Sequence, residues 1–351
     1  MKTICGYLAP LCLLASLASA QPNPAPEGIP VSPIPNVTRF GHPTALVISN
    51  QLLEVTVLPG VGRIAGLRFG GLDNVVRFDG ALAEAAALGT AHDGWRNYGG
   101  DWLFVSPQAN WERLFGHRWP PPAFLDGLPW TGHAWASDDG SQNILMQLEV
   151  GAPLNARIQR QLRLDPALAQ LTIRQRIERT APSDIPLTLW NISQIPGARR
   201  VLLPVDEDSM FADGYSILDF GPPAPHLLTR AQGGVLLLDT LNGTEHKLGS
   251  DSPRGWIAAQ RGDVLIIERA TTLEPGGDFP DGGCRVELYA NHGLGYTEIE
   301  TLSEERMLAP GEILENTLTF SFHHVKANLD DEALARRTLE ILGESPPVPK
   351  P

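Results

Sequence analysis

Apolar and polar residues alternate in short runs along most of the chain. From Ala45, "ALVISNQLLEVTVLPGVGRIAGLRFGG" is a series of β-rich segments divided by Asn, Pro and Gly. Similar runs recur at "ILMQLEVG", "LTLWNIS", "GVLLLDTL", "DVLIIERA", "RVELYA", "YTEIETL" and "ENTLTFSFHHV". The stretch "RIQRQLRLDPALAQLTIRQRIERT" predicts one hairpin, two alternating strands with a turn at Asp165-Pro166. No long amphipathic helix interrupts the series, so the βαβ alternation of a doubly wound sheet or an α/β barrel is excluded. No short internal repeat supports a propeller. The pattern predicts an all-β sandwich or barrel, mostly antiparallel.

Two regions depart from it. Residues 81–135 hold six of the chain's eight tryptophans, among many Gly and Pro, and read as a long irregular insertion. Near the other end, "NLDDEALARRTLEILGE" predicts a short C-terminal helix, with Asp330 as its cap and Leu334, Leu339 and Leu342 on its apolar side.

The N-terminus changes the picture of compartment. Lys2, an apolar stretch and Ala18-Ser19-Ala20 follow the order of a signal peptide over residues 1–20, so the protein is expected to be secreted or periplasmic. Residues 21–43 are Pro-rich and read as an extended leader outside the core. The apolar run is too short to span a bilayer, and no membrane span is expected elsewhere. Two of the three cysteines lie in the signal segment; Cys284 alone can form no internal disulfide and is expected to be a small buried side chain. A formal charge of −13 argues against nucleic acid as a partner. Oligomeric state has no sequence signal here.

Candidate chemistry concentrates in two places. In the insertion, Gly99-Gly100 presents Asp101, and Asp101, Gln108 and Asn110 interleave with Trp102 and Trp111. Flat apolar faces beside hydrogen-bonding groups suit a sugar, whose CH face stacks while its hydroxyls take polar partners. The same tryptophans could equally form an aromatic mini-core that pins a long loop. In "GYTEIETLSEE", strand parity puts Tyr296, Glu298, Glu300 and Leu302 on one face and Thr297, Ile299 and Thr301 on the other. That face is either solvated or carries a working carboxylate. His323 and His324 are adjacent and point to opposite faces, and no cofactor or metal motif is present.

Three stretches carry a family resemblance. "NQLLEVTVLPGVGRIAGLRFGG" resembles the opening strands of the galactose mutarotase (aldose 1-epimerase) superfamily, and "LYANHGLGYTEIETLSEERMLAPGEILENTLTFSF" resembles its closing strands, with a Glu-Thr pair at Glu300-Thr301. "LTLWNISQIPGARRVLLPVDEDSMFADGY" resembles the strand and loop that cross the sugar site, while "GGDW", "SPQANW" and "RWPPP" look closer to a secreted branch than to true mutarotases. The resemblance implies a β-supersandwich over residues 44–325, with the helix and tail at 326–351, and a carbohydrate site on the concave face. It implies that Glu300 is the general base, with Trp190, Asn191, Gln194, Tyr296 and Glu298 beside the sugar. One departure stands out: mutarotases carry a histidine in the central strand, where this chain has "LWNISQ". Asn and Gln bind hydroxyls but do not act as acids at neutral pH. The expectations are therefore a carbohydrate-active protein of epimerase type, a non-catalytic sugar-binding module, or an envelope protein that retains only the fold.

Overall fold

The computed structural model describes residues 31–86, 95–240, 244–270 and 277–344. The expected signal peptide, 1–20, and the leader as far as residue 30 lie outside the described residues. Among the described residues two antiparallel sheets dominate. One has eleven strands, in the order Val31–Ile34, Thr131–Ser137, Gln142–Val150, Ala156–Leu164, Gln170–Arg179, Ile313–His324, Val264–Ala270, Trp256–Arg261, Arg200–Pro204, Val235–Asp239 and Leu228–Ala231. The other has ten: Ser216–Asp219, Glu245–Ser250, Val286–Asn291, Tyr296–Leu302, Trp190–Pro196, Asp101–Phe104, Arg63–Phe69, Leu53–Leu58, His42–Ser49 and Val37–Arg39.

The alternation explains the layering. In Ala156–Leu164 every second residue is buried, from Ala156 to Leu164, and Gln170–Arg179 repeats the pattern in register with it. The turn between them closes on Asp165, whose Oδ1 accepts from the backbone N–H of Ala167 and Leu168, both at 2.8 Å. The inner faces of the two sheets meet in one core, with Leu46, Ile48 and Val55 on one side and Ile173, Ile266 and Phe320 on the other. The helix Asp331–Leu342 forms as the sequence predicts: Asp330 accepts from Ala333 N–H at 2.7 Å, and Leu334 and Leu339 pack on Leu202, Trp256 and Leu265.

Two expectations need correction. The leader does not stay outside the fold from Val31 onward. Val31–Ile34 pairs with Thr131–Ser137, and Val37–Arg39 with His42–Ser49, because each gives an otherwise open sheet edge its backbone partners. The insertion is not irregular throughout either. "GGDW" opens a strand of the ten-stranded sheet, and Trp135 lies in a strand of the eleven-stranded one. Between them sit only short helical turns, Gln108–Asn110, Trp111–Phe115 and Ala123–Asp126.

Candidate functional site

The strand Tyr296–Leu302 organises the site. Residues opposite each other in an antiparallel ladder share a face. Gln194 and Tyr289 therefore flank Glu298, and Ile192 and Glu287 flank Glu300, on the face turned away from the other sheet. One strand further, Trp102 stands opposite Ile192 and Phe104 opposite Trp190. This row floors a cleft of about 550 Å3, a volume usual for a small-ligand site. Trp95, Trp119, Gln108 and Arg118 wall one end; Phe220, Asp219 and Leu294 rim the other.

Arg63, in the "GVGRI" turn, ties the aromatic end down. Its guanidinium donates to both oxygens of Asp126, at 2.7 and 2.8 Å, and lies 4.9 Å from the Trp102 ring centre. The turn that delivers Trp102 needs glycine: Gly99 and Gly100 have φ of +75° and +83°, and a Cβ on either would press on a backbone carbonyl oxygen.

Charge gathers under the middle of the cleft. Glu300 is fully buried; its Oε2 accepts from Trp190 Nε1 at 2.6 Å and from Lys247 Nζ at 3.3 Å. Lys247 also pairs with Glu287 at 2.9 Å and sits 4.8 Å from the Trp190 ring centre. Burial opposes the lysine's charge, but Glu287 and Glu300 outweigh it and hold its pKa well above the ordinary value. Burial pushes the Glu287 carboxyl strongly up, against the pull of Lys247. Glu298 lines the cleft, half-buried, and accepts from Gln194 Nε2 at 2.8 Å. Its pKa is pushed up to about 8, first by burial and then by Glu300. Tyr296, beside it, is pushed up to about 12, first by burial and then by Glu298.

No family model matches the sequence, and no curated relative does either. Solved structures do. A galactose mutarotase-like protein from Lactobacillus casei superposes with a TM-score of 0.51 at 12% identity, over 80% of this chain and 100% of that one. The fold is that of the galactose mutarotase-like proteins. A galactose 1-epimerase from Lactobacillus acidophilus is also similar, with a TM-score of 0.49 at 10% identity, over 85% of this chain and 100% of that one.

Within this mutarotase-like fold the candidate residues separate by strand parity. Trp102, Gln108, Trp190, Tyr296 and Glu298 line the cleft. Gln194 is buried just behind it, on Glu298. Glu300 lies on the cleft's face of its strand but beneath the lining, engaged by Trp190 and Lys247. Asp101 and Asn191 do not reach the cleft, because each neighbours a cleft residue in sequence and so points the other way. They sit between the sheets in a buried polar cluster. Asp101 pairs with Arg160 at 2.5 Å and accepts from Asn191 at 2.7 Å and Ser193 at 2.8 Å. Glu268 joins it, accepting from Asn191 at 3.1 Å and Thr301 at 2.6 Å, and burial, then Asp101, pushes its pKa well up. Trp111 is also outside the cleft. It is fully buried, donates to the Ser106 carbonyl at 3.2 Å and packs edge-on against Phe104. The two tryptophans share one apolar cluster, Trp111 wholly inside it and Trp102 at its boundary with the cleft.

Sequence reasoning missed Lys247, Glu287, Glu245 and Tyr289. Parity in "RVELYAN" already puts Glu287, Tyr289 and Asn291 on one face. What it could not give is their register against Glu300 and Glu298. No histidine lines the cleft among the described residues.

Proposed function

We propose that the protein is exported and binds carbohydrate in the aromatic cleft. The observation that carries this reading is the cleft's lining. Indole and phenol rings (Trp102, Trp119, Trp190, Tyr296) alternate with amide and carboxylate side chains (Gln108, Asn97, Glu298) around a volume suited to a saccharide. The mutarotase-like fold supports it. Calorimetric titration of the mature protein with a panel of mono- and oligosaccharides tests it. Saturable heat with at least one sugar is the expected result, and none across the panel would remove the reading. Export is tested by N-terminal sequencing of material recovered outside the cytoplasm, which should start at Gln21 or be blocked by pyroglutamate formed there; an intact Met1 would contradict it.

A second reading is proton transfer of the aldose 1-epimerase type, favoured by one observation. Glu298 faces the ligand volume with a pKa near working pH, where a carboxylate serves as a general base. Glu300, to which the family resemblance gives that role, supports it from below by raising its pKa. Polarimetry with freshly dissolved single-anomer sugars separates the readings. With turnover, Glu298→Gln should cost about 10²–10⁴ in rate, the worth of a positioned base. Turnover undiminished in both Glu298→Gln and Glu300→Gln would rule out this use of the pair. Heat without turnover leaves a binding module.

A further inference from the structure

The cleft is not uniform along its length. At the end away from the tryptophans, Phe220 stands half-exposed on the rim with φ +63°, in the left-handed region that bulky residues rarely occupy. Asp219 holds it there, accepting from Phe220 N–H at 2.9 Å. The Tyr289 ring centre lies 5.7 Å from that of Phe220 and 6.2 Å from that of Tyr296, so the three rings form a tilted row along this end of the cleft. Three carboxyl groups share it. Glu245 accepts from the Tyr289 hydroxyl, and Asp219 and Glu298 line the same volume.

The protein's own cations nearby have partners of their own. Lys247 lines the cleft in register with Asp219 and Tyr289, but its ammonium is held by Glu287 and Glu300. Arg77 donates to Gln194 and Asn97 and covers one side of Tyr296, 5.4 Å from its centre. Arg118 belongs to the opposite wall with Trp119. Aromatic rings with carboxylates at their edge attract a positive group through the ring quadrupole and the full charges together.

We propose that this end of the cleft recognises a cation, and that the saccharide bound is an amino sugar. Its free ammonium sits among Phe220, Tyr289 and Tyr296 and is countered by Asp219 and Glu245, with the Glu298 carboxyl as a further hydrogen-bond acceptor. This rests on the carbohydrate reading and names the class of sugar.

Calorimetry on the intact mature protein tests it with two probes of one sugar backbone: a tetrasaccharide of β-1,4-linked glucosamine, and its fully N-acetylated counterpart, which carries no charge. The ammonium form should bind about tenfold more tightly at low salt, the worth of one such contact at a half-buried site. The ratio should shrink as salt is raised. Asp219→Asn and Glu245→Gln should each narrow it; Asp219 is exposed, so that variant folds whatever becomes of the other. Equal or tighter binding of the neutral probe would overturn the cation site and leave a neutral-sugar cleft. A tenfold preference that neither substitution changes would overturn its location. Binding of neither probe, nor of any sugar in the wider panel, would overturn both proposals together.

Discussion

Replacing Asp101 with alanine should unfold the protein at lower temperature without acting through the cleft. Asp101 and Arg160 are both 0% exposed, and the carboxylate holds three partners: the guanidinium, the Asn191 amide and the Ser193 hydroxyl. Arg160 keeps only Asn191 Oδ1, at 2.8 Å, once the carboxylate is gone. A buried charge left without its counter-ion costs about 3–5 kcal/mol. With about 300 folded residues and ~2 cal/mol/K of unfolding entropy per residue, ~4 kcal/mol lowers Tm by about 6 °C. Differential scanning calorimetry of Asp101→Ala measures this. Adding Arg160→Leu should recover most of the loss, because an apolar replacement for both partners is often neutral. A single-substitution shift below about 2 °C would refute the claim that this pair is an uncompensated charge when broken. So would a double variant less stable than the single one.

Other outcomes follow from the same geometry. Trp102→Ala should weaken sugar binding by roughly 1–3 kcal/mol, by analogy with stacking on other flat ligands. Trp111→Ala should instead cost about 3–5 kcal/mol of stability with no change in the affinity of the folded protein, which chemical denaturation beside calorimetric titration would separate. Glu298 titrates near 8 in the fold, against an ordinary value of 4.5. The folded state therefore holds a proton that the unfolded state releases; the resulting stability is full below about pH 4.5 and is lost as pH rises through about 8. Glu298→Gln should remove that loss, so Tm measured from pH 5 to pH 9 should fall less steeply in the variant than in the parent; parallel profiles would contradict the assignment.

Much of the fold was legible before any coordinate. Period-two burial in "RIQRQLRL" and "LTIRQRIE", the Asp165-Pro166 turn and the Asp330 cap are local properties, and each formed where the sequence predicts. Part of the site was equally legible. Parity puts Tyr296, Glu298 and Glu300 on one face; the same rule separates Trp190 from Asn191 and Asp101 from Trp102, although all four were expected beside the sugar. The edge strand Val31–Ile34 was not legible, because its alternation is masked by proline and its partner, Thr131–Ser137, lies about a hundred residues away.

The sequence by itself determined the alternation that makes strands, the turns between them, and which side chains of each strand travel together. Only the tertiary structure decided which face became the cleft and which the inter-sheet core. It also decided the partners that set each group's chemistry. Lys247 reaches Glu300 across 53 positions of sequence, and Glu268 reaches Thr301 across 33. The physical reason is that a strand's periodicity is local, whereas its register against other strands is set by the packing of both sheets at once. Burial and neighbouring charge exist only after that packing, so the shift that poises Glu298 is a property of the assembled sheets.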